Sequence, residues 1–77
     1  MKEFFDILII DDTIELYLSL KDILEENGFR TAIAPDRKTA VRICSEREFS
    51  LALIDIKLPD ANGLTLVEEL SQMLPAM

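Results

Sequence analysis

Three short apolar runs divide the chain, and the stretches between them carry a different period. Ile7-Leu8-Ile9-Ile10 and Leu51-Ala52-Leu53-Ile54 are uninterrupted, the pattern of strands buried on both faces of a sheet. The third run is weaker. From Phe29 to Ala34, residues Phe29, Thr31 and Ile33 alternate with Arg30, Ala32 and Ala34, which predicts a strand at a sheet edge. Helical spacing fills the gaps. Leu16, Tyr17, Leu20, Ile23 and Leu24 form the core stripe of a first helix that starts after Asp12-Thr13, residues able to cap its free N–H groups, and stops at Asn27-Gly28. Pro35-Asp36 opens a second helix with Asp36 as N-cap and Ala40, Val41, Ile43 and Cys44 on its apolar face. The third helix runs from Leu64 to about Leu74 on Leu66, Val67, Leu70, Met73 and Leu74, while Phe4 and Phe5 pack at the entrance of the first strand. The order βαβαβα with right-handed crossovers predicts an α/β fold, a parallel three-stranded sheet of order 2-1-3, in one domain over residues 1–77.

Composition narrows the function classes. The chain has 77 residues, and a domain this short buries only about 60 to 65% of the surface that its unfolded form exposes. Eight basic residues against fifteen acidic give a net charge of −7, with no basic cluster longer than Arg37-Lys38, which argues against direct binding of nucleic acid or anionic membrane. Arg37, Lys38, Arg42 and Arg47, with Glu46 and Glu48, read as a solvated face. No apolar stretch reaches the length of a membrane span, and the first ten residues do not read as a signal peptide. Cys44, the single cysteine, reads as a small buried helix residue and fits a reducing compartment. A soluble cytoplasmic protein is expected.

The candidate chemistry lies where the two strongest strands end. Ile10 is followed by Asp11-Asp12, and Ile54 by Asp55 and an irregular loop of Lys57, Pro59, Asp60, Asn62 and Gly63. In an open parallel sheet, ligands bind beyond the carboxyl ends of the strands, so neighbouring parallel strands would bring three carboxylates to one edge. Such a cluster repels itself unless a cation neutralises it. Mg²⁺ suits it, because that ion takes oxygen ligands, keeps several waters and commonly uses one or two carboxylates plus a phosphate oxygen. A carboxylate at such a site can also be a nucleophile that forms an acyl phosphate. The plainer reading is that each Asp caps a helix or loop, as Asp12 is placed to do.

Ile7-Leu8-Ile9-Ile10-Asp11-Asp12 resembles the opening strand and acidic pair of response-regulator receiver domains, and Asp55-Ile56-Lys57-Leu58-Pro59-Asp60-Ala61-Asn62-Gly63 resembles their D-x-x-[LM]-P-x-x-x-G phosphorylation loop. The resemblance covers about Phe5 to Leu74. It implies a flavodoxin-like fold and a phosphoacceptor role in a two-component phosphorelay, with Asp55 receiving the phosphoryl group from a partner histidine kinase or phosphotransfer protein. It further implies that Asp12 binds Mg²⁺ directly, Asp11 largely through water, and Lys57 through its backbone carbonyl. Pro59 and Gly63 would shape the loop. The chain has no histidine, so the donor must be another molecule.

Receiver domains resemble a longer, five-stranded sheet, and this chain stops after the third helix, with the family's fourth and fifth strands, hydroxyl residue, switch aromatic and Lys missing. Two expectations follow from that truncation. Phosphoryl transfer should be impaired, and the Leu51 to Ile54 strand should become an open edge through which it, or the third helix, pairs in a homodimer. The alternatives are an interaction module that is not phosphorylated, or a fragment of a longer regulator. A small Mg²⁺-dependent aspartyl phosphatase fits less well, since D-x-D is not found after the first strand, and two glycines in all argue against a nucleotide or flavin binder.

Overall fold

The computed structural model describes residues 6–73. In chain order these form β1 (Asp6–Ile10), α1 (Ile14–Glu26), β2 (Arg30–Ala34), α2 (Arg37–Glu46), β3 (Leu51–Ile54) and α3 (Gly63–Met73). The strands make one parallel sheet of order β2-β1-β3, as the sequence pattern predicts. Phe4, Phe5 and Leu74 lie outside the described residues.

The central position of β1 explains its composition. Pairing on both sides and cover on both faces leave Ile7, Leu8, Ile9 and Ile10 all buried. Leu8 stands in register with Ala32 and Ala52, and Ile10 with Ala34 and Ile54. On this face the small alanines flanking the two large central residues leave room for α2 and α3. The core there joins Leu8, Ile10 and Ala34 to Ala40 and Cys44 of α2, to Phe49, and to Leu66 and Leu70 of α3. Burial holds the Cys44 thiol above its ordinary pKa.

On the other face α1 lies against β1 and β2, and here the sequence reading needs correction. The helix buries no residue fully. Tyr17, Leu20 and Leu24 are half-buried, whereas Leu16 and Ile23 of the expected core stripe are 49% and 57% exposed. The reason is geometric, since a 13-residue helix resting over two strands covers them with a single narrow line of side chains. The expected capping of α1 also differs: Thr13 is its N-cap but makes no side-chain cap bond. Instead the Thr13 N–H donates to Asp11 Oδ1 at 2.9 Å. At the other end the expected stop is present, with Gly28 at φ +90°, a left-handed conformation that costs glycine little.

β3 is likewise less covered than a strand buried on both faces would be. Its only strand partner among the described residues is β1, and Leu51 is 49% exposed. Beside it, Leu51, Ala52, Ile54, Val67 and Leu70 line an open apolar groove of about 260 Å³. The charged face expected along α2 is exposed at Lys38, Arg42, Glu46, Arg47 and Glu48, with Arg37 the exception. Arg37 is half-buried against Glu69, and Arg47 lies 4.9 Å from the Phe49 ring centroid and 3.5 Å from Asp6. No helix among the described residues is long and apolar enough to cross a membrane.

Candidate functional site

Chain order and handedness create the site. The step from β1 to β2 and the step from β2 back past β1 to β3 run in opposite directions across the sheet. Right-handed crossovers therefore put α1 on one face and α2 on the other. The chain leaving β1 turns toward α1, and the chain leaving β3 turns toward α3 on the opposite face. Between them a crevice opens at the carboxyl ends of β1 and β3, where ligands bind in such sheets.

Backbone hydrogen bonds continue just past the strands and fix what stands in the crevice. The Asp11 N–H donates to the Ala34 carbonyl at 3.1 Å, and the Asp55 N–H to the Ile10 carbonyl at 2.8 Å. Asp11 and Asp55 therefore stand on adjacent strands, one step beyond the registered pair Ile10 and Ile54, as the next residues of a sheet that is about to end. Asp11, Asp12 and Asp55 each place a carboxylate oxygen within 4.8 Å of the others, the convergence expected of them. Asp11 is buried, Asp55 half-buried and Asp12 exposed, which grades the site from protein to solvent. Among the described residues no lysine or arginine side chain forms an ion pair with any of the three.

The donor set is all oxygen, which suits a hard divalent cation. Ligand oxygens around Mg²⁺, with bonds of about 2.1 Å, lie at most ~4.2 Å apart, so three carboxylates within 4.8 Å need small side-chain rotations or one intervening water. One Asp11 oxygen already accepts the Thr13 N–H, leaving its second oxygen for that role. The residues present fit such an ion.

The loop from Asp55 to Gly63 folds into a small hairpin. Lys57 pairs with Asn62 in an antiparallel bridge, Leu58 N–H donates to the Ala61 carbonyl at 3.1 Å, and Gly63 N–H closes the base on the Ile56 carbonyl at 2.7 Å. The Lys57 N–H points to Asp55 Oδ1 at 3.3 Å. Asn62 ends the loop, and its side chain accepts the Leu64 N–H at 2.7 Å, satisfying one of the free donors of α3.

At the hairpin tip Asp60 accepts the N–H groups of Arg37 and Lys38 at 2.8 and 3.2 Å. The Arg37 guanidinium makes a bidentate pair with Glu69 of α3, at 2.9 and 2.6 Å, and that carboxylate holds the guanidinium above its ordinary pKa. Asp36 caps α2 as expected, taking the Thr39 N–H at 2.8 Å, and hydrogen bonding from the Thr39 side chain and then its backbone keeps the Asp36 carboxyl below the usual range. Sequence reasoning missed Asn62, Asp60 and the Arg37–Glu69 pair. Asn directly before a helical run was a usable N-cap signal. Nothing local marks the other two, whose partners lie more than twenty residues away.

Residues 7–77 match the family model for the response regulator receiver domain. The chain is 37% identical over 68 residues to the chemotaxis protein CheY of Bacillus subtilis, covering 87% of this chain and 57% of that one. Among solved structures, a CheY-like receiver domain protein from Methanospirillum hungatei JF-1 superposes with a TM-score of 0.94 at 37% identity, covering 97% of this chain and 60% of that one. A response regulator from Burkholderia pseudomallei, solved with a phosphorylated aspartic acid, a calcium ion and citrate, superposes with a TM-score of 0.89 at 25% identity, over 94% of this chain and 42% of that one. The chain thus spans about half the length of these relatives.

Proposed function

The chain belongs to the response-regulator receiver domain family of two-component signalling, a signalling family and not one of enzymes, and within it we propose that this protein is a phosphoacceptor whose nucleophile is Asp55. The observation that carries this reading is the meeting of Asp11, Asp12 and Asp55 at the crevice between β1 and β3. Asp55 is half-buried, enough to hold its carboxylate in place and open enough to meet a donor.

In this reading Asp12 and Asp55 would hold Mg²⁺ directly, Asp11 would hold it largely through water, and the Lys57 backbone carbonyl would complete the protein ligands. Charge on the phosphoryl oxygens would be neutralised by the ion once bound. A carboxylate oxygen of Asp55 attacks the phosphorus of a phosphohistidine on a partner kinase or phosphotransfer protein. An O–P bond forms, the N–P bond breaks, and the departing imidazole nitrogen takes up a proton. The hairpin positions Asp55 for that attack. The protein works in the cytoplasm, where such a donor is found.

Intact mass after incubation with Mg²⁺ and acetyl phosphate tests the reading. One added phosphoryl group is expected, requiring Mg²⁺ and absent from Asp55→Asn; a folded chain that gains none sinks it.

A specific observation favours a second role beside the first. The open edge of β3 and the groove against α3 leave Leu51 and Val67 49% and 44% exposed. A second copy meeting this edge across a two-fold axis would pair the strand and cover the groove. Light scattering is expected to give a dimer that Leu51→Lys disrupts, and a monomer at all concentrations would overturn this role.

A further inference from the structure

Asp60 is exposed at the tip of a surface hairpin, yet both of its carboxylate oxygens are engaged, and by one partner: the first turn of α2. The Arg37 and Lys38 N–H groups are the first two of that helix, which have no intrahelical acceptor and carry much of the partial positive charge at its N-terminus. The third, Thr39 N–H, is already met by Asp36. α2 therefore has its own cap, and without Asp60 its two outer donors would turn to water. The contact does more for the hairpin than for the helix.

The hairpin has few other anchors. Its base is fixed by Gly63 N–H on Ile56 and by the Asp55 amide in the sheet, its arms are joined to each other through the Lys57–Asn62 bridge and the Leu58–Ala61 bond, and half-buried Leu58 packs against the core. A two-stranded hairpin alone is marginal in water, so its tilt must be set from outside. Leu58 holds one arm against the core, and Asp60 holds the tip. Arg37, the residue whose N–H Asp60 accepts, is itself held through its guanidinium by Glu69 of α3, so the tip is tied to a residue that cannot easily swing away. The arm leading to that tip contains Lys57, whose N–H donates to Asp55 Oδ1 at 3.3 Å.

We propose that Asp60 is a positioning residue for the cation site: by docking the hairpin tip on the first turn of α2, it holds Lys57 and Asp55 in the geometry that a divalent ion requires. This rests on the reading of Asp11, Asp12 and Asp55 as a Mg²⁺ site. Asp60 touches neither ion nor phosphoryl group.

The test is a Mg²⁺ titration of the 77-residue chain followed by the amide NMR shifts of Asp12, Asp55 and Lys57, with thermal unfolding recorded on the same samples. Asp60→Ala is expected to weaken Mg²⁺ binding about tenfold or more, the usual size of an outer-shell effect, and Asp60→Asn, which keeps an oxygen acceptor for Arg37, should fall between it and the parent. Asp36→Ala is the control, because it removes a cap from the same helix without touching the hairpin. It should lower the unfolding midpoint yet leave Mg²⁺ affinity within about twofold of the parent, where purely structural damage would not separate the two readouts. Parent-like affinity in both Asp60 variants, or an equal loss in Asp36→Ala, overturns the positioning role alone. If the parent shows no Mg²⁺-dependent shift, the cation site itself falls, and this role with it.

Discussion

Gly63 begins α3 directly against the backbone of Asp55: a Cβ built on Gly63 would overlap the Asp55 carbonyl oxygen and come within 2.9 Å of the Ile56 Cα. The obstructing atoms are backbone, so no side chain can swing aside. Gly63→Ala must push α3 away from the end of β3 and is expected to destabilise the fold by about 1–3 kcal/mol, the usual range for overpacking. Urea unfolding would measure it. An unchanged midpoint would mean that α3 shifts without cost.

Three carboxylates within 4.8 Å, with no cationic side chain among the described residues paired to them, oppose folding when no ion is bound. Asp12 is the exposed member, so its replacement disturbs packing least. Asp12→Asn should stabilise the ion-free chain by about 1 kcal/mol or less, the Coulomb energy of such a pair near water. The same variant should lose the rise in melting temperature that Mg²⁺ gives the parent. Thermal melts with Mg²⁺ and with a chelator check both signs.

Arg37 and Glu69 join α2 to α3 by two hydrogen bonds, but both side chains remain partly solvated, at 43% and 32% exposure. Solvent screening keeps such a pair small. Glu69→Gln is expected to cost about 0.5–1 kcal/mol, with the loss shrinking as salt is raised. A salt-independent loss would assign the effect to packing.

The Thr39 hydrogen bonds hold the Asp36 carboxyl below its ordinary range, and those of Lys21 and Thr31 do the same for Glu25. A carboxyl whose folded value is depressed contributes stability that is fully present above its unfolded value and disappears as pH falls through the folded one. Stability should therefore decline below about pH 4, where unfolded carboxyls take up protons. Asp36→Asn should flatten that decline while leaving an amide oxygen to cap α2. Chemical unfolding at a series of pH values would show it, and an acid limb as steep as the parent's would rule Asp36 out as a contributor.

The sequence made the sheet order and the meeting of three carboxylates legible because each depends on local patterns joined by one rule of handedness. Apolar runs ending in Asp locate the strand ends, and right-handed crossovers bring two of those ends together. Asp36 and Gly28 were legible for the same reason, since a cap and a left-handed stop are properties of a few adjacent residues. Leu16 and Ile23 were not. Their spacing marks an apolar face, but burial depends on what lies over it, and α1 spans too little of the sheet to cover both. Thr13 is the N-cap of α1 as its position suggests, but its side chain makes no cap bond, and its own N–H goes to Asp11. The tie from Asp60 to α2 is set wholly by tertiary approach.

The strand at the centre of the sheet is also the first of the three described strands in chain order. Ile7 pairs with Thr31 on one side and Leu51 on the other, and the core over Leu8 and Ile10 is closed by Leu66 and Leu70. During synthesis the most apolar tetrapeptide of the protein therefore leaves the ribosome before either neighbour exists and stays uncovered until α3 has followed it. Nascent chains stalled ahead of Leu51 should pull on the ribosome no more than an unfolded chain does, with force rising once Leu70 clears the exit tunnel. Until then Ile7 to Ile10 are the residues that a holding chaperone would grip.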